Sequence, residues 1–96
     1  MNRKKRMHAI VHGKVQGVAF REYTRREGER LGLSGWVGNL PDGTVEVVFE
    51  GSQVEVGNLL AWLATGSPFS RVTRVEYNEE PPLGEASSFF IKFSSV

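Results

Sequence analysis

Residues 35–51 read GWVGNLPDGTVEVVFEG, and this stretch predicts a β-hairpin. Its centre, Asp42-Gly43, is a strong signal for a tight turn, because these residue types tolerate the positive φ angles that such turns need. One strand is expected at Gly35–Pro41 and the other at Thr44–Gly51. Apolar and acidic residues alternate along the second strand, which indicates one covered face and one face mostly in contact with water.

A strand, a glycine-rich loop and a helix are predicted upstream of this hairpin. The strand is His8–His12, and the loop Gly13–Gly17 follows it because two glycines in five residues interrupt regular structure. A helical pattern spans Phe20–Leu31, with Gly32 as its stop. Gly28 lies on the inward stripe of this pattern, so we expect a close contact between helix and sheet there.

Downstream of the hairpin, the sequence predicts a second helix and two more strands. The helix ends near Gly66 and has apolar residues at helical spacing, namely Val56, Leu59, Leu60 and Leu63. The strands are Val72–Tyr77 and Phe89–Phe93, with Lys92 facing outward, and an exposed connection, Pro81–Gly84, separates them.

This order of elements defines the expected fold class. It is an α+β, ferredoxin-like βαββαβ sandwich, with two helices on one face of an antiparallel sheet and a short extra C-terminal strand. The 96 residues make one domain, and a basic cluster, Arg3–Arg6, precedes it. Without that cluster, eight basic side chains stand against eleven acidic ones, a net charge of −3. We therefore expect a flexible basic tail at residues 1–6 and the folded domain at residues 7–96.

Composition excludes several classes of protein. There is no cysteine, which excludes a disulfide scaffold and a thiol nucleophile. The longest uncharged run, Val56–Ser70, has 15 residues and falls short of the roughly 20 that a membrane span needs. No signal-peptide pattern follows the basic cluster, so a cytoplasmic location is expected. A monomer is the default expectation, since no exposed apolar edge is evident.

Most catalytic constellations are absent from the sequence. Asp42 is the only aspartate, so an aspartate dyad is impossible. His8 and His12 lie four residues apart on a strand, about 13 Å at ~3.3 Å per residue, which is too far for one zinc ion. Neither dinucleotide-binding nor nucleotide-binding glycine motifs occur. We therefore predict no metal site and no cofactor.

The junction between the first strand and the first helix is a candidate anion site. A glycine-rich loop that enters a helix presents unpaired N–H groups and the positive end of the helix dipole. Arg21 stands at this helix start, where a cation is unfavourable by roughly 0.3–1 kcal/mol unless an anion lies nearby. The alternative is a surface arginine beside Glu22 and a loop that is only a connector.

Asn39 is a second candidate, because asparagine is disfavoured within strands. Its amide is both donor and acceptor, so its oxygen can hold a water molecule. Alternatively, Asn39 begins the turn toward Asp42-Gly43.

Two long motifs in the sequence resemble those of a known family. Residues 11–21, VHGKVQGVAFR, resemble the first signature of the acylphosphatase family, and residues 35–46, GWVGNLPDGTVE, resemble the second. Leu31-Gly32-Leu33 and Gly66-Ser67-Pro68 also match in order and spacing. The resemblance extends from about Met7 to Phe93, nearly the whole chain.

The resemblance implies an enzyme, a hydrolase that cleaves the carboxyl–phosphate anhydride of acyl phosphates to a carboxylate and inorganic phosphate. Arg21 would bind the phosphate together with amides of a loop whose residues are Val15, Gln16, Gly17, Val18, Ala19 and Phe20. Asn39 would position the attacking water, and the substrate's own phosphate would accept its proton. No metal is implied, and the partner is a small-molecule acyl phosphate. A site that recognises only phosphate would accept many acyl groups.

The sequence departs from the family pattern at three places. Ala19 replaces a frequent glycine, and Gly38 stands where a basic residue is common. Ser94-Ser95-Val96 extends past the usual end of the last strand, which bears on any contact between a terminal carboxylate and the arginine.

Two other classes of function are compatible with the predicted topology. RNA-recognition domains share it, but they need exposed aromatics and a basic sheet face, whereas this domain is acidic, so no nucleic-acid partner is expected. The other alternative is a catalytically silent regulatory domain that binds an anion.

Overall fold

The computed structural model describes residues 3–84 and 88–93, which form five strands and two helices. In chain order these are β1 Lys4–Lys14, α1 Phe20–Arg30, β2 Ser34–Asn39, β3 Val45–Ser52, α2 Gln53–Thr65, β4 Arg71–Glu80 and β5 Phe89–Ile91. The predicted elements are thus confirmed. β1 and β4 are longer than predicted, β3 has the predicted length but is shifted by one residue, and β2 and β5 are shorter. No helix in these two ranges is long and apolar enough to cross a membrane.

The strands form one sheet in the order β4-β1-β3-β2-β5. β1 lies between β3 and β4 and is antiparallel to both, and β2 is antiparallel to β3. β5, however, runs parallel to β2, so the sheet is mixed rather than antiparallel throughout. The direction of β5 follows from the register: Glu80 at the end of β4 and Ser34 at the start of β2 share one row of the sheet with Arg6 and Glu50. The chain therefore enters β5 from the end at which β2 begins.

The buried carboxylate of Glu50 fixes the connection between β4 and β5. It accepts hydrogen bonds from the backbone N–H groups of Leu83 (3.0 Å) and Gly84 (2.9 Å) and from Arg6 (3.2 Å). Burial by itself would raise the pKa of Glu50, but these donors outweigh burial and the pKa lies below its ordinary value. The connection is exposed, as predicted, yet it is held against the sheet.

The N-terminal boundary differs from the predicted one. A flexible tail was expected through Arg6, whereas β1 begins at Lys4 and pairs with β3 as far as Ser52. Arg6 also forms ion pairs with Glu50 (3.2 Å) and Glu80 (3.3 Å). Since β3 continues to Ser52, it offers backbone partners to three residues of the basic cluster.

The core lies between the sheet and the two helices, which both contact its inner face. Alternate residues of β1 and β3 point into it: Met7, Ala9, Val11, Val45, Val47 and Phe49. The opposite face of β3 is less exposed to solvent than the alternating pattern predicts, because Val48 and Glu50 are buried as well. Gly32 and Gly66 have positive φ angles and terminate the two helices, as expected.

Gly28 allows α1 to approach the sheet closely, as its position predicted. A Cβ atom at Gly28 would overlap the ring of the buried Phe89 in β5, whereas a Cβ at Gly57 of α2 would meet nothing within 4 Å. In a helix interior, the intrinsic propensity of alanine is more favourable than that of glycine by about 1 kcal/mol. We expect Gly28→Ala to lower the free energy of unfolding by about 1–3 kcal/mol through overpacking. The matched variant Gly57→Ala should raise it by about 0.5–1 kcal/mol. Urea denaturation measures both, and equal stabilisation by the two substitutions would contradict the close contact.

Candidate active site

The loop between β1 and α1 enters the helix through two left-handed residues. Gly17 has φ 74° and Ala19 has φ 59°; Ala19 is the N-cap of α1, and its side chain makes no capping hydrogen bond. Among the described residues, Ala19 is the sole non-glycine with positive φ, a conformation that costs an alanine about 1 kcal/mol or more. Left-handed residues in such turns aim successive N–H groups to one side, which forms anion-binding concavities.

The backbone donors of this loop find no acceptor among the described residues. The first hydrogen bond of α1 is from Tyr23 N–H to the carbonyl of Ala19 (3.1 Å). Throughout residues 3–84 and 88–93, none of the N–H groups from Gln16 to Arg21 donates to another residue. Unsatisfied donors at a helix start carry partial positive charge, so this surface favours an anion.

Arg21 differs from the other arginines of α1. Those three form ion pairs at 2.5–3.2 Å: Arg25 with Glu22 and Glu29, Arg26 with Glu22, and Arg30 with Glu27. No acidic side chain in the described part of the chain pairs with Arg21. Its Cζ atom instead lies 5.3 Å from the centre of the Phe93 ring. A contact with an aromatic ring supplies no oxygen acceptor, so it leaves the N–H groups of the guanidinium available to an oxyanion.

Glu22 is fully engaged by its own helix. Hydrogen bonds from Arg25 lower its pKa to about 2; burial opposes this shift, and Arg26 adds to it. The carboxylate is therefore ionised and paired away from Arg21 at neutral pH. This pairing weighs against the interpretation of Arg21 as a surface partner of Glu22.

A cavity of about 140 Å³ opens beside these groups. Its wall consists of loop and helix residues (Val15, Gly17, Ala19, Phe20, Arg21 and Glu22) together with Ile91 and Phe93. The side chains of Val15 and Phe20 are buried in the core and Val18 packs against it, so these residues anchor the loop, whereas Gly17 and Ala19 are exposed. The cavity has the size and the donors that a phosphate group requires.

Asn39 lies at the end of β2 and contains an unpartnered buried atom. Its Oδ1 has no hydrogen-bond partner among the described residues. The adjacent turn does not use it: Asp42 accepts from Thr44 N–H (3.0 Å) and Thr44 Oγ1 (2.6 Å). A buried acceptor without a partner costs about 1–3 kcal/mol, so Asn39 is better explained by a ligand or water than by turn formation.

The register of the sheet brings Asn39 toward the cavity. Val37 pairs with Ile91 in the parallel ladder, and Lys92 N–H continues it by donating to the carbonyl of Val37 (2.8 Å). Asn39 and Phe93 each follow this pair by two residues, so both lie at the same end of the sheet, on the side of the helices. Phe93 in turn contacts Arg21.

Gln16 joins the loop to the hairpin that carries Asn39. Its Nε2 donates to the carbonyls of Leu40 (2.9 Å) and Thr44 (2.8 Å), one on each side of the turn. The sequence placed Gln16 in the loop but gave no sign of this side-chain role. Phe93 was also missed as a site residue, although Phe89, Ile91 and Phe93 share one face by their two-residue spacing.

The histidines lie on the open face of the sheet, away from the cavity. His8 Nε2 is 2.6 Å from Glu46, and His12 Nε2 is 2.6 Å from Glu76. Each histidine thus has its own carboxylate partner.

Gly38 and the C-terminal extension were the remaining departures from the family pattern. A Cβ atom at Gly38 would lie 2.7 Å from the carbonyl oxygen of Lys92, so the glycine permits the close approach of the segment that follows β5. Lys92 itself faces outward as predicted, with Nζ 4.4 Å from the Trp36 ring centre. Ser94-Ser95-Val96 lies outside the described residues.

Comparisons with known proteins agree with this architecture. The sequence profile of the acylphosphatase family matches residues 7–91. An acylphosphatase of Syntrophobacter fumaroxidans is 51% identical over 90 residues, covering 94% of this chain and 93% of the relative. One from Rubrobacter xylanophilus is 52% identical over 88 residues, covering 92% and 80%. The crystal structure of acylphosphatase from Bacillus subtilis gives a TM-score of 0.88 at 36% identity, covering 92% of this chain and 98% of that one.

The chain thus folds as a small ferredoxin-like α+β domain, and the loop before α1 presents N–H groups for which the described residues supply no acceptor. The chain belongs to the acylphosphatase family. It is an enzyme of that class, a hydrolase of acid anhydrides.

Proposed function

We propose that this chain hydrolyses acyl phosphates without a metal, using Arg21 and the loop amides to hold the phosphate and Asn39 to position the water. The observation that carries the proposal is a set of donors beside the cavity, the N–H groups of residues 16–21 and the guanidinium of Arg21, for which the described residues supply no acceptor. The unpartnered Oδ1 of Asn39 supplies the complementary acceptor.

The proposed reaction needs only these groups. The water oxygen attacks phosphorus, the bond between phosphorus and the acyl oxygen breaks, and the carboxylate leaves with the bonding electrons. The proton lost by the water passes to a phosphate oxygen, so the dianionic substrate yields a carboxylate and dihydrogen phosphate. A carboxylate leaves readily because the pKa of its conjugate acid is about 4. The protein's contribution is therefore position and charge, the main terms in phosphoryl transfer.

The proposed roles divide between the loop and helix start that line the cavity and the end of β2, where Asn39 lies. Arg21 and the amides would stabilise charge on the non-bridging oxygens, and their donors are pre-oriented by the left-handed residues of the loop. Asn39 would accept a hydrogen bond from the water and orient its lone pair. Gln16 would hold both sides in register through its two hydrogen bonds to the hairpin.

We further propose that the protein is a cytoplasmic monomer, that its product is inorganic phosphate and that it has no nucleic-acid partner. Apart from the basic cluster Arg3–Arg6, the sequence carries a net charge of −3, which disfavours binding to a polyanion. Sedimentation velocity tests the monomeric state, and binding to RNA at low salt tests the exclusion of nucleic acid.

The experiment that tests the proposed activity is hydrolysis of benzoyl phosphate by the metal-free protein in EDTA. We expect turnover that is unchanged by EDTA and inhibited competitively by phosphate. Binding of phosphate without turnover would instead identify a catalytically silent anion-binding domain. Turnover that disappears in EDTA and returns with added Mg²⁺ would contradict the metal-independent mechanism.

Gln16→Glu is expected to lower kcat for benzoyl phosphate by about tenfold or more. The substituted carboxylate cannot donate to the carbonyls of Leu40 and Thr44, and it repels them, so the loop and the hairpin lose their register. Gln53→Glu on the exposed start of α2 is a control with the same chemical change. Steady-state kinetics at pH 7 measures the effect, and wild-type kcat in Gln16→Glu would contradict a positioning role.

A further inference from the structure

The ring of Phe93 is exposed at the mouth of the cavity. Its exposed fraction is 70%, although one side of the ring lies against the guanidinium of Arg21. Ile91, two residues earlier on the same side, also lines the cavity. Ile91 and Phe93 therefore contribute an apolar wall, whereas the loop side presents the backbone N–H groups of residues 16–21.

This division of the cavity matches the two parts of an acyl phosphate. The donors of the loop and of Arg21 suit the phosphate, and none of them can recognise an apolar group. A phosphate bound to Arg21 would place its acyl substituent near the Phe93 ring, since that ring contacts the same guanidinium. An aromatic or branched acyl group would bury apolar surface against Phe93 and Ile91, whereas a methyl group is too small to cover them.

We propose that Phe93 contacts the acyl group of the substrate and makes the site favour acyl phosphates with aromatic or bulky apolar acyl groups. The inference rests on the proposed function, because it needs the phosphate to bind at Arg21. It narrows the expectation that a site recognising only phosphate would accept many acyl groups. Phe93 is thus a specificity-determining residue, distinct from the groups that hold phosphate and water.

The test is the ratio of kcat/KM for benzoyl phosphate to kcat/KM for acetyl phosphate. We expect Phe93→Ala to lower this ratio about 3- to 10-fold, and Phe93→Leu to lower it less, because leucine keeps apolar surface but loses the ring. Tyr77→Ala is the matched control: Tyr77 is an aromatic residue, 56% exposed, in β4 at the opposite edge of the sheet, and the variant should leave the ratio unchanged. Circular dichroism confirms that each variant is folded.

The ratio separates recognition of the acyl group from positioning of Arg21. If Phe93 only held the guanidinium in place, its removal would lower both values of kcat/KM equally, and an unchanged ratio would overturn the proposal. Binding of two non-hydrolysable analogues, phenacylphosphonate and acetonylphosphonate, keeps the test independent of turnover. If the wild-type protein hydrolyses neither substrate, the proposed activity fails, yet a selective loss of phenacylphosphonate affinity in Phe93→Ala still supports the acyl contact. Equal losses for both analogues, or no binding of either, would overturn it.

Discussion

Arg21→Ala is expected to lower kcat/KM for benzoyl phosphate by a factor of about 10²–10³. Loss of one preorganised donor to developing charge typically costs about 2.7–4 kcal/mol of transition-state stabilisation. No other cationic side chain lines the cavity in the described part of the chain, so nothing substitutes for the guanidinium. Competitive inhibition by phosphate should weaken as well, since ground-state binding uses the same group.

The matched control is Arg30→Ala, which removes the same charge from the last turn of α1. Arg30 pairs with Glu27 and lies about 13 Å along the helix axis from Arg21, at ~1.5 Å per residue. Arg21→Ala should change the free energy of unfolding by less than about 1 kcal/mol. The substitution removes a cation that the helix dipole disfavours, and this gain offsets the loss of the contact with Phe93. Retention of wild-type kcat/KM by a folded Arg21→Ala protein would show that the loop amides suffice and would contradict the proposed role.

Local patterns predicted the fold well because the elements rely on residues close in sequence. Asp42-Gly43 fixes the hairpin through a turn that Asp42 itself closes, and Gly28 predicted the close packing of α1. The direction of β5 was not predictable in this way. It depends on the sheet end to which β4 returns, and on the hold of Glu50 on Leu83 and Gly84, which are 33 and 34 residues away in sequence.

The candidate site likewise combines residues that local patterns identify with residues that only the complete fold brings together. Arg21 and Asn39 were identifiable because each conflicts with its local structure, a cation at a helix start and an amide within a strand. Gln16 conflicts with nothing, and its two hydrogen bonds cross 24 and 28 residues of sequence. Phe93 lies where an alternating strand pattern ends, so its contact with Arg21 emerges only when β5 is placed beside β2.

Asn39→Ala is expected to lower kcat by about 10²–10³ while leaving the inhibition constant for phosphate unchanged. The side chain is proposed to orient the water and not to bind the phosphate, so the effect should fall on the chemical step. The same substitution removes a buried acceptor that has no partner among the described residues, so the free energy of unfolding should stay equal or rise. Steady-state kinetics with phosphate as inhibitor, together with urea denaturation, measures all three quantities.

Phosphate binding distinguishes the role of Asn39 from that of Arg21, because of the two alanine variants only Arg21→Ala is expected to weaken it. Asn58→Ala, on the exposed side of α2 where Asn58 donates to Glu55 (2.7 Å), removes the same group away from the cavity and should leave kcat unchanged. Asn39→Asp keeps the acceptor but adds a negative charge beside the bound phosphate, so it should lower kcat and also weaken phosphate binding. If Asn39→Ala instead lost stability and kept its kcat, the buried Oδ1 would have a structural partner and the water would need another anchor. A fall in kcat with undiminished stability has one simple physical source, a polar group that is maintained for the reaction and not for the fold.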